Sequence, residues 1–143
     1  MHIPIFQVGT EPASFEDLVR LTRTPHHIRI SGESCQRIVN CRNYLDQKLF
    51  DNQARFYGIN TGFGYLQNVP IDHDQLKQLQ ENLLKSHACG MGEEVPAAIV
   101  KLMLLLKIKS LSYGHSGVQM ETVARLVDMY NAEILPVIYP HVS

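Results

Sequence analysis

Residues 96–113 read as a helix with almost no polar face. Ile99, Leu102, Met103, Leu104, Leu105, Leu106, Ile108 and Leu111 recur around the whole circumference, while Lys101, Lys107 and Lys109 point in different directions at about 100° per residue. A helix that is apolar nearly all round belongs inside a bundle. The other helices this chain can form are too few to cover it, so the pattern predicts either a longer polypeptide or copies assembling around it. Its longest unbroken apolar stretch, Leu102 to Leu106, is far below the roughly 20 residues of a membrane span. The cover expected is protein, not lipid.

The remaining elements fit a mainly α chain. Ser14 and Asp17 form a capping-box pattern before Leu18, Val19 and Leu21, which predicts a short helix. On either side, Ile3, Ile5 and Val8, and then His27 to Ile30, read as short strands. A helix starting at Ser31 or Ser34 is expected to run to about Phe50 on Cys35, Ile38, Val39, Leu45 and Leu49. Further helices are expected from Asp72 to Ala88, stopped by Gly90 and Gly92, from Pro96 to Tyr113, and from a Ser116/Gln119 capping box to Glu133. Residues 51–70 break the helical rhythm. Gly58, Asn60, Gly62 and Gly64 lie there among Phe56, Tyr57, Phe63 and Tyr65, marking a loop whose backbone needs unusual dihedrals or a close approach.

Charge and composition exclude several classes. Residues 1–70 carry seven basic and six acidic groups and residues 71–143 carry six and eight, so no basic surplus exists to displace phosphate counterions from nucleic acid. At 45% hydrophobic and 19% charged residues the chain is not disordered. Cys35, Cys41 and Cys89 have no paired spacing, which fits free thiols in a reducing compartment. Seven histidines show no i, i+4 pair and no Cys-x-x-Cys accompanies them, so no metal site is expected. With no basic region and apolar core at Met1-His2-Ile3-Pro4, the expectation is a soluble cytoplasmic protein without membrane or nucleic-acid partners.

Three residues admit two readings each. His87 follows Leu76, Leu79 and Leu83 on one helical stripe: it is either a core histidine bonded to a backbone carbonyl, or a polar group at a helix end facing a cavity. Tyr57 either packs beside its glycines or presents its hydroxyl to a ligand. Cys89 reads as a small buried filler. Gly62-Phe63-Gly64 and Gly90-Met91-Gly92 contain G-x-G, but neither continues as a dinucleotide fingerprint or a P-loop.

The segment Tyr57-Gly58-Ile59-Asn60-Thr61-Gly62-Phe63-Gly64 resembles the signature loop of the aromatic amino acid lyases. The resemblance continues, in the family's order and spacing, through Leu79 to Gly90, Leu111 to Val118 and Asn131 to Pro140, covering about residues 53–143. Lys107 and Lys109 depart from it, standing where the family pattern has Arg and Asn. By this resemblance the fold is the N-terminal part of a large helical-bundle enzyme, with residues 1–143 a single segment that continues beyond Ser143.

The resemblance implies a reaction as well. Family members eliminate ammonia from an aromatic α-amino acid, using a methylidene-imidazolone made autocatalytically from an internal Ala-Ser-Gly, which is expected just after Ser143. Tyr57 occupies the position of the general base for the β-proton, and Gly64 a position lining the substrate pocket. A phenol titrates near about 10, so such a base needs a site that favours its ionised form. The pair Ser86-His87 resembles that of histidine-acting members, with the imidazole facing the substrate ring. The implied activity is ammonia loss from L-histidine to give trans-urocanate, in a homotetramer built with the rest of the same polypeptide. Two alternatives stand beside it: a lyase or aminomutase acting on tyrosine or phenylalanine, and a non-catalytic helical assembly module.

Overall fold

The structure is a computed structural model and describes residues 3–51, 55–71 and 73–140. Two strands, β1 (Ile5–Val8) and β2 (His27–Ile30), pair in parallel with Ile5 opposite His27 and Val8 opposite Ile30. A parallel pair cannot be closed by a tight turn, and the crossover is helix α1 (Phe15–Arg23). Its capping box forms as expected: Ser14 Oγ accepts the Asp17 N–H at 3.1 Å, and the Asp17 carboxylate accepts the Ser14 N–H at 3.3 Å. Helix α2 (Gly32–Asp51) follows, its start held by the Ser34 N–H donating to Ser31 Oγ at 3.1 Å.

Helix α3 (Leu76–His87) begins four residues later than expected, behind a 3-10 turn over His73–Gln75. No side chain caps it at Gln75, and Asp72, the expected start, lies outside the described residues. Helix α4 (Ala97–Ser112) matches the over-apolar segment, and α5 (Met120–Asn131) closes the set. The Ser116/Gln119 capping box does not form. Gln119 is itself the N-cap and makes no side-chain cap bond. The chain before it is drawn toward α2, where Arg42 donates to the Gly117 carbonyl at 3.3 Å.

The core gathers on one side of α4. Val100, Leu105, Ile108 and Leu111 are buried, and the last three join Val8, Ile28, Ile30, Ile38, Val123 and Tyr130 in one cluster. The opposite stripe is uncovered: Ile99, Met103 and Leu106 are 51%, 47% and 43% exposed. This is the outcome the sequence predicts for a helix with too few neighbours. Lys109, one of the two departures from the family pattern, donates to the Gly9 and Glu11 carbonyls and so ties α4 to the β1–α1 connection. Among the described residues no helix is long and apolar enough to cross a membrane, and no group of His, Cys, Asp or Glu is placed to hold a metal ion.

Polar groups in this core are matched in pairs. Burial, with the charge of Glu133 second, pushes the Tyr130 phenol up to about 12, so its proton stays on. That O–H donates to His26 Nε2 at 2.7 Å, while Nδ1–H donates to the Thr24 carbonyl at 2.8 Å. In a parallel ladder alternate residues bond to opposite sides, and Ile28 faces away from β1. Asn131 covers it: Oδ1 accepts the Ile28 N–H at 2.7 Å and the amide donates to the Ile28 carbonyl at 3.0 Å. Replacing Asn131 with Ala leaves both backbone groups of a 2%-exposed residue unpaired. Hydrogen exchange of the β2 amides should quicken by about tenfold or more, the scale of one to two lost buried bonds. An unchanged exchange rate would show that Asn131 does not hold this edge.

Candidate active site

The glycine-rich loop is clamped at its neck. Thr61 forms an isolated antiparallel bridge with Pro70. The Gly62 N–H donates to the Val69 carbonyl at 3.1 Å and the Ile71 N–H to the Asn60 carbonyl at 3.0 Å. Asn60 closes the turn before it, since its Oδ1 accepts the Phe56 N–H at 2.7 Å and its own N–H donates back to the Phe56 carbonyl at 3.2 Å. Arg55 pins the far side, donating to the Asn68 carbonyl at 2.7 Å. Gly62 is required by a close approach: a Cβ there would sit 2.7 Å from Leu66 Cβ and 2.8 Å from the Leu66 carbonyl oxygen.

This frame presents Tyr57. The side chain is 63% exposed, packs edge-on against Phe63 with ring centroids 6.1 Å apart, and accepts the Gly64 N–H at its hydroxyl oxygen over 3.4 Å. An N–H aimed at an oxygen tightens when that oxygen carries negative charge. Tyr57 therefore packs through its ring and also engages the backbone through its hydroxyl. Gly64 opens the 3-10 turn Gly64–Leu66 at the loop tip and is exposed, with open space where a Cβ would point.

Ser86 and His87 end α3, and both are exposed. The stripe formed by Leu76, Leu79 and Leu83 is only half-buried, so His87 is not a core histidine of this chain. Its Nδ1 does lie 3.0 Å from a backbone carbonyl, that of Leu83 in its own helix. Cys89 is exposed too, against the expectation of a buried filler. The chain beyond α3 meets a strap from the far end of the sequence. Val95 N–H donates to the Ile138 carbonyl at 2.8 Å and Met91 N–H to the Pro140 carbonyl at 3.2 Å. Gly90 makes this possible, since a Cβ there would stand 3.0 Å from both Tyr139 Cβ and its carbonyl oxygen. Tyr139 is fastened to Glu94 by an O–H bond of 3.1 Å, and that carboxylate raises its phenol above the ordinary range.

Two half-sites result. One is the Tyr57–Gly64 loop and the other is the Ser86–His87 helix end with its strap. Among the described residues no hydrogen bond or ring contact joins Tyr57 or Gly64 to Ser86 or His87. Beside the first, Phe56 and Ile59 line a groove of about 480 Å³ with Tyr44, Lys48 and His115. Arg55 and the strap contacts leave no mark in the sequence, because they join residues with no local pattern. An asparagine four residues after Phe56, able to bond backwards to the backbone, was a signal for the loop closure.

The sequence pattern of the aromatic amino acid lyases matches residues 13–143. This chain belongs to that family. It is similar to the histidine ammonia-lyase of Deinococcus radiodurans, with 44% identity over 125 residues, 87% of this chain and 24% of that protein. The fold is similar to the crystal structure of ergothionase, an ergothioneine-degrading enzyme from Treponema denticola. That likeness has a TM-score of 0.88 and 27% identity, over 97% of this chain and 28% of the other. Histidine ammonia-lyase from Trypanosoma cruzi gives a TM-score of 0.79 and 32% identity, over 91% and 25%. The chain thus spans about a quarter of the length of the lyases it matches.

Proposed function

We propose that this chain serves a histidine ammonia-lyase, a carbon–nitrogen lyase that takes ammonia from L-histidine to leave trans-urocanate. The observation that carries the reading is an exposed Tyr57 whose hydroxyl accepts the N–H of Gly64 at the tip of a clamped loop, in a chain 44% identical to a histidine ammonia-lyase over 125 residues. Tyr57 is the general base that removes the β-proton, and the Gly64 N–H holds its oxygen while the proton moves. Gly64, with no side chain, leaves room for the substrate. His87 faces the substrate ring, with Ser86 beside it on the helix end.

The family's methylidene-imidazolone supplies an electrophile toward the substrate amine when present. The 143 residues contain no Ala-Ser-Gly to form it. The strap through Ile138 to Pro140 carries the chain alongside Met91, close after His87 in sequence, and Gly90 has no room for a side chain at that crossing. The uncovered stripe of Ile99, Met103 and Leu106 supports burial by further chain and by partner subunits in a homotetramer. Sedimentation of the full-length protein at four chain masses checks that assembly, and a monomer would refute it.

Two variants of the full-length protein test the chemistry. Tyr57→Phe keeps the ring and removes the proton acceptor, so kcat should fall at least about 100-fold, the lower end of acid–base contributions. Near-normal turnover would sink the assignment of Tyr57 as the base. His87→Leu replaces a polar wall with an apolar one, leaving the substrate imidazole unpaired. Preference should move from histidine toward phenylalanine or tyrosine, followed as urocanate against cinnamate, coumarate or a β-amino acid. Unchanged preference would return His87 to a structural role.

A further inference from the structure

Three atoms at the C-terminal end of α3 lie within hydrogen-bond distance of one another. Ser86 Oγ is 3.0 Å from the Leu83 carbonyl oxygen and 2.9 Å from His87 Nδ1, and Nδ1 is 3.0 Å from the same carbonyl. Counting protons decides how the triangle is filled. The carbonyl can only accept, the hydroxyl brings one proton, and a neutral imidazole carries its single proton on either nitrogen. With that proton on Nε2, one hydrogen serves three contacts and two acceptor–acceptor contacts remain. With it on Nδ1, two hydrogens serve the three contacts: Ser86 donates to the Leu83 carbonyl, His87 Nδ1–H is shared between Ser86 Oγ and that carbonyl, and no acceptor–acceptor contact remains. The bond one ring nitrogen makes fixes the state of the other, so Nε2 is left as a bare acceptor. Among the described residues Nε2 has no partner, and the residue is exposed.

We propose that Ser86 is a positioning residue: with the Leu83 carbonyl it holds His87 in the Nδ1–H form, so that Nε2 accepts a hydrogen bond from the substrate ring. The substrate class this selects is an aromatic amino acid whose ring carries a donor, an imidazole N–H before a phenyl group. The inference rests on the reading of His87 as a substrate contact, and it gives Ser86 a role through His87 and not on the substrate directly.

The test is a double-mutant cycle in the full-length enzyme, with L-histidine as substrate. Ser86→Ala should raise KM about 3- to 10-fold, the effect of one lost hydrogen bond, while kcat stays within about twofold. Ser86→Thr restores the hydroxyl and should return KM to within about twofold of the parent. In a His87→Leu background, Ser86→Ala should change KM by less than about twofold, because residues acting as a unit are not additive. An equal effect in both backgrounds, or a loss that Thr does not rescue, overturns the proposal and leaves the reading of His87 standing. If His87→Leu alone leaves substrate preference unchanged, that reading fails and the proposal falls with it.

Discussion

Helix α4 must find apolar neighbours on every side, and the described chain supplies them on one. Its buried residues Leu105, Ile108 and Leu111 meet β1, α1, α2 and α5 across a single cluster. Burying each such side chain stabilises by roughly 1.5–3 kcal/mol, which makes this helix the largest organising term in the chain. The two-stranded sheet could not stand alone, since a parallel pair is stable only when covered. Asn131 and the crossover α1 fasten it to the same helix layer.

The candidate site is built from parts that this core does not contain. No residue of α3 is buried, and the Tyr57 loop is held by its own neck of backbone bonds between Asn60–Gly62 and Val69–Ile71. Order there comes from hydrogen bonds and close backbone crossings, not from apolar area. That distinction suits a site that must keep polar groups exposed. Tyr57 and His87 are both exposed, and each is held by two neighbours, Gly64 and Phe63 in the first case and Ser86 and the Leu83 carbonyl in the second.

The regular elements were largely legible because their signals are local. The Ser14/Asp17 box, the two short strands and the run from Ala97 to Ser112 all depend on residues within a few positions of one another. The errors share a cause. Ser116 and Gln119 have the spacing of a capping box, but Arg42, distant in sequence, draws the preceding backbone toward α2. The expected α3 start lost its first turn to a 3-10 winding. Cys89 reads as interior by pattern, yet it is exposed among the described residues.

Alone, the sequence determined the helical class, the over-apolar helix with its need for more cover, and the identity of the loop and helix-end residues. These follow from side-chain type and periodicity, which do not depend on where the chain travels. The tertiary structure decided what those residues do to one another. Only folding could bring Pro140 beside Met91, lay Leu66 so close to Gly62 that a methyl group is excluded, and set Ser86, His87 and Leu83 in a triangle that proton counting can resolve. Hydrogen bonds and close crossings are set by distances of a few tenths of an ångström, and no spacing along the chain encodes them.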